Sequence, residues 1–148
     1  MNYKAIIVVV LVILVAGFGA IIYSQNTQDQ PALEIPGDNA PQTNPLISVS
    51  SPLPNAQVSS PMAVTGQARG NWYFEASFPV KLYDANNTLL ATDIATALSD
   101  WMTTDFVAFT ATLNFPTPST ATGTLVLEKD NPSGEPQNDD SISIPVNF

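Results

Sequence analysis

The hydrophobic pattern of this chain changes twice. Ala5 to Tyr23 reads AIIVVVLVILVAGFGAIIY, without a charge, Asn, Gln, Ser, Thr or Pro. As an α-helix the run would reach roughly 28 Å, the thickness of the hydrocarbon core of a bilayer. It predicts one transmembrane helix over 5–23, preceded by a short tail, 1–4. Ser24 to Pro45 is polar instead, with prolines at 31, 36, 41 and 45 and only Leu33 and Ile35 as large apolar residues. Such a stretch buries too little surface to fold, so 24–45 reads as a linker. As a flexible coil it would span roughly 25 Å.

From Leu46 the period becomes two. Ile47 and Val49 alternate with serines until Pro52-Leu53-Pro54-Asn55 breaks the chain. Met62 to Ala68 reads as a second strand, with Gly66 marking a bulge. Phe78, Val80 and Leu82 alternate with Lys81 and Tyr83, and Asp84-Ala85-Asn86-Asn87 then signals a turn into Leu89–Ala97, which predicts a hairpin. Val107, Phe109, Ala111, Leu113 and Phe115 share one face. Gly123 opens a run carrying Leu125 and Leu127. Ile142, Ile144, Val146 and Phe148 close the chain, and Pro145, which lacks an N–H, places that last strand at a sheet edge. No stretch beyond Tyr23 repeats at 3.6 residues. About seven short strands with one apolar face each predict an all-β fold, an antiparallel β-sandwich over 46–148 behind the transmembrane helix.

Composition narrows the chemistry. The chain has thirteen acidic residues against four basic ones, and neither cysteine nor histidine. Lys4 precedes the apolar run, so Arg69, Lys81 and Lys129 are left to face every acid in the protein. A surface of that sign repels phosphate backbones and anionic lipid headgroups, which argues against nucleic acid and for cationic partners. Without cysteine there are no disulfides, thiolate nucleophiles or zinc–sulfur sites. Without histidine the usual general base and the commonest metal ligand are missing. The expectation is a non-catalytic protein without a cofactor.

The apolar run is longer than the roughly 7–15 residues of a signal-peptide core, and Ile21-Ile22-Tyr23 continue beyond Gly17-Phe18-Gly19. It reads as an uncleaved signal-anchor. Lys4 and the terminal amine lie before it, and Asp29, Glu34 and Asp38 lie after it. The positive-inside rule then places the N-terminus in the cytoplasm and residues 46–148 outside the cell membrane.

Three segments look more specified than a generic sandwich requires. They are Gly66-Gln67-Ala68-Arg69-Gly70-Asn71-Trp72-Tyr73-Phe74-Glu75-Ala76, Asp100-Trp101-Met102, and Asp130-Asn131-Pro132-Ser133-Gly134. Together with Ile47-x-Val49-x-x-Pro52-x-Pro54 and Ser60-Pro61-x-x-Val64-x-Gly66, they resemble the bacterial spore germination immunoglobulin-like domain family over Leu46 to Phe148. The resemblance implies a small cysteine-free immunoglobulin-like sandwich that carries no catalytic residues. In the germination proteins that give the family its name, the domain can accompany a second conserved domain, which is not read in this sequence.

Each segment also has a structural reading. Trp72 and Phe74 have the same parity, so on a strand both would enter the core. Arg69 and Glu75 suit an ion pair or a clamp on backbone carbonyls. Trp101 is expected to plug one end of the sandwich, or else to offer an aromatic platform to a sugar or peptide. Asp130, Asn131, Glu135, Asn138, Asp139 and Asp140 supply hard oxygen donors for calcium, but Pro132 and Gly134 fall where an EF-hand loop needs ligands. A solvated turn is the favoured reading there. Glu75, Asp100 and Asp105 are the acids available for glycosidase work, and Lys81 or Lys129 for an isopeptide crosslink to an asparagine.

The function these residues support is a single-pass, extracytoplasmic module that binds or scaffolds a protein or cell-wall partner at the bacterial envelope. The rivals are a carbohydrate-binding module, which requires an exposed Trp72 or Trp101, and a small glycoside-acting enzyme, which requires a cleft lined by two of the three acids.

Overall fold

The computed structural model describes residues 44–148. The expected tail, the transmembrane helix and all of the linker before Asn44 lie outside the described residues. Alternation of apolar and polar side chains produces the strands β1 (Ile47–Ser51), β2 (Ala56–Gln57), β3 (Met62–Arg69), β4 (Ser77–Asp84), β5 (Leu89–Ala97), β6 (Phe106–Leu113), β7 (Thr122–Glu128) and β8 (Ser141–Asn147). Single 3-10 turns occupy Gly70–Trp72 and Pro136–Asn138. The seven longer strands answer the seven read from the pattern. The two-residue β2 is too short to leave a period.

The strand order is β1-β3-β6-β5-β4-β7-β8-β2. β5 is the seam. It pairs with β4 from Leu89 to Thr96 but reaches β6 only through Thr96↔Thr110 and Ala97↔Phe109. The chain is thereby folded into two layers, β1-β3-β6 and β4-β7-β8, whose apolar faces meet. The ring centroids of Phe78 on β4 and Phe109 on β6 lie 5.0 Å apart, edge to face. β2 runs parallel to β8, whereas the remaining strand pairs are antiparallel. β1 and β2 are separated only by the Pro52–Asn55 turn, so one stretch of chain closes opposite edges of the two layers. This is an immunoglobulin-like β-sandwich.

Two local expectations change. The irregularity near Gly66 lies on the neighbouring strand: Val49 pairs with Gly66 and Ser51 with Thr65, which leaves Ser50 as the extra residue of β1. Gly66 is needed for close approach, since a Cβ there would overlap the carbonyl oxygen of Ser48 and lie 2.7 Å from Cζ of Phe109. The strand containing Pro145 is not a bare edge either. Its carbonyl accepts from Asn55 N–H at 2.7 Å, and Asn147 accepts from Val58 N–H at 2.8 Å. The side of β8 that Pro145 leaves without a donor is covered by the short β2 segment.

Gly66→Ala is expected to lower unfolding stability by about 1–3 kcal/mol, because main-chain oxygen and a core ring must both shift. Urea denaturation checks this, and an unchanged midpoint would show that β1 and β3 can separate freely.

Candidate functional site

The strands bring all three specified segments to one end of the sandwich. β3 ends there at Arg69, β4 begins at Ser77, β5 ends at Ala97, β6 begins at Phe106, β7 ends at Glu128 and β8 begins at Ser141. The chain also enters β1 at this end. Asn44 Oδ1 accepts from the amides of Leu46 and Ile47, and Arg69 N–H donates to Leu46 O at 2.7 Å.

The segments are joined largely through backbone. A Cβ at Gly70 would overlap the carbonyl oxygens of Trp101 and Thr103, so only glycine lets the 98–105 loop lie this close. Arg69 Nη1 donates to Thr104 O at 2.9 Å, and its guanidinium stands 4.2 Å over the Phe106 ring. Asp130 N–H donates to Trp72 O at 3.0 Å, tying the third segment to the first. Of the two arrangements expected for Arg69 and Glu75, the ion pair does not form. Arg69 instead takes the backbone-carbonyl role, for which its planar fork is suited.

The parity reading of Trp72 and Phe74 is corrected as well. Residues 70–76 do not form a strand, so period two does not apply. Trp72 closes a 3-10 turn and is fully buried, Tyr73 follows it into the core, and Phe74 is 42 % exposed. Trp72 and Tyr73 both contact Phe78, at centroid distances of 6.4 and 5.2 Å. The indole N–H of Trp72 has no partner among the described residues, so the ring's apolar area is what it contributes to the core. Tyr73, missed as a site residue, donates its hydroxyl to Val107 O at 2.7 Å. Burial pushes its pKa up to about 12, with the Ala68 backbone pulling weakly the other way. Its only signal in the sequence is its place between two more prominent aromatics.

Phe74 is presented by a tight turn. Phe74 and Ser77 exchange backbone hydrogen bonds of 3.0 and 3.1 Å. Glu75 and Ala76 between them have φ of +50° and +61°. Both central residues are thus left-handed, as in the turn type that favours Asn-Gly. Neither Glu nor Ala suits that conformation.

In the second segment, Asp100 Oδ1 accepts from Met102 N–H at 3.0 Å. Trp101 is half-buried against the core, and Met102 is 76 % exposed. In the third, Asn131 Nδ2 donates to Glu135 O and to Asp139 Oδ1, and Ser133 Oγ bonds to Asn131 Oδ1. Asn138 Nδ2 donates to Ser133 Oγ, and Gly134 takes φ +66°. Pro132 is exposed. These side chains bond to one another as a self-capped turn. Among the described residues no three acids gather as a metal-holding group.

A cavity of about 540 Å³ is lined by Glu128, Lys129, Asp139, Asp140 and Ser141, and by none of Glu75, Asp100 or Asp105. Neither lysine is hydrogen-bonded to an asparagine side chain among the described residues. Lys81 Nζ lies 2.7 Å from Glu128, which raises the lysine's pKa, and Lys129 Nζ donates to Asn138 O.

A model of the family described as the immunoglobulin-like domain of bacterial spore germination matches residues 46–145. No curated protein and no solved structure matches the chain.

Ala76→Gly is expected to raise stability by about 1 kcal/mol, against the usual cost of glycine, because it relieves a left-handed alanine. A lowered melting midpoint would contradict the strained turn. For Tyr73, the raised folded-state pKa means that its contribution is complete below pH 10 and is lost as pH rises toward 12. Tyr73→Phe should cost about 1 kcal/mol at neutral pH and flatten the decline of stability above pH 10. Denaturant midpoints measured from pH 7 to 12 check both.

Proposed function

Because the chain belongs to the family of immunoglobulin-like domains of bacterial spore germination, we propose that it acts as a membrane-anchored, non-catalytic interaction module at the cell envelope. One observation carries the binding part of this reading. The three segments that distinguish the sequence converge at one end of a rigid sandwich, with much of their polar capacity spent on one another. What they turn outward includes large apolar side chains, Phe74 and Met102, set among exposed acids.

The rivals find less support. Trp72 is fully buried and Trp101 is packed against the core, so neither presents an open platform like that of a sugar-binding site. The cavity at Glu128–Ser141 contains none of the three acids named for glycosidase work. The membrane anchor and the extracytoplasmic placement rest on the apolar run 5–23, on Lys4 before it and on the acids after it. The linker would then stand the sandwich off the bilayer for contact with an envelope protein.

Protease added to intact cells is expected to remove residues 46–148 and leave a membrane-bound N-terminal fragment. Full protection until lysis would reverse the orientation, and recovery of the whole chain in the soluble fraction would remove the anchor.

A further inference from the structure

Charge is distributed unevenly over the sandwich. At the opposite end, the segments 52–61 and 114–121 contain no charged residue, and the hairpin 84–88 has only Asp84. That carboxylate is buried and accepts from the amides of Asn86 and Thr88. The end that carries the family segments holds Glu75, Asp100, Asp105, Asp130, Asp139 and Asp140. Its two bases are occupied with main chain, Arg69 at Thr104 O and Lys129 at Asn138 O. Amid these acids, Leu98 is 63 % exposed, Met102 76 % and Phe74 42 %.

Resting on the interaction-module reading, we propose that this end of the sandwich docks a basic protein segment that carries an apolar anchor residue. Large side chains that are costly to leave in water supply the centre of a contact, and charges around them supply its rim. A rim of one sign selects a partner of the other, both by steering the encounter and by penalising acidic competitors. The main chain that carries two of these side chains is held in place. Phe74 sits on a turn closed by two backbone bonds, and Met102 follows a tryptophan packed against the core. Little backbone ordering remains to be done there on binding.

The test uses the full-length chain in its native membranes, with a photoreactive amino acid at Leu98, at Met102 or, for the opposite end, at Leu89, which is 52 % exposed. Irradiation is expected to give adducts from 98 and 102, not from 89, with crosslinked partner peptides of net positive charge. Their yield should fall at least fivefold in 0.5 M salt and in the exposed double variant Glu75→Lys, Asp105→Lys. Adducts from 89 alone, partner peptides of net negative charge, or a yield indifferent to salt and to charge reversal would overturn the docking proposal and leave the interaction-module reading standing. No adduct from any of the three positions would overturn both.

Discussion

The aromatic cluster between the two layers holds the rest of the structure in place. The chain has no cysteine, so no disulfide can pin one layer of the sandwich to the other. Phe78 and Phe109 span the interior edge to face, and Trp72 and Tyr73 close on Phe78 from the 3-10 turn that precedes β4. Burial of rings of this size is among the largest single contributions a small core can make. The same contact sets a backbone requirement elsewhere, because the Phe109 ring occupies the space where any side chain at residue 66 would stand.

The loop end inherits its order from that cluster. Trp72 is in the core through its ring and in the loops through its carbonyl, which receives the Asp130 amide. Gly70, two residues earlier, admits the 98–105 loop against the main chain. Tyr73 passes through the core to the Val107 carbonyl at the start of β6. The loops are thus held by ring burial and main-chain hydrogen bonds. Much of their charge stays in water, where it can act on a partner.

Legibility followed the local period. Alternation over 78–82, 107–113 and 142–148 was readable because each strand has one wet face and one dry face, and the hairpin at Asp84–Asn87 was readable because its turn chemistry is local. The segment 70–76 was not. A 3-10 turn followed by two left-handed residues has no periodic signature, and period two therefore misplaced Phe74 and overlooked Tyr73. The Arg69–Glu75 pairing failed for a related reason. The left-handed turn carries Glu75 away from a strand geometry, while Arg69 finds Thr104, distant in sequence but adjacent across β3 and β6.

By itself, the sequence determined the all-β class, the strand faces, the acidic character of the chain, the loss of thiol and imidazole chemistry, and the family to which the domain belongs. All of these follow from residue identity and nearest-neighbour pattern. Tertiary structure alone decided that β5 serves both layers, that Ser50 rather than Gly66 is the extra residue, and that three separate segments share one end. Each of those outcomes depends on which strands pair across long stretches of chain. That choice is made by the fit of Phe78, Phe109 and Trp72 in a common core, and no local pattern records it.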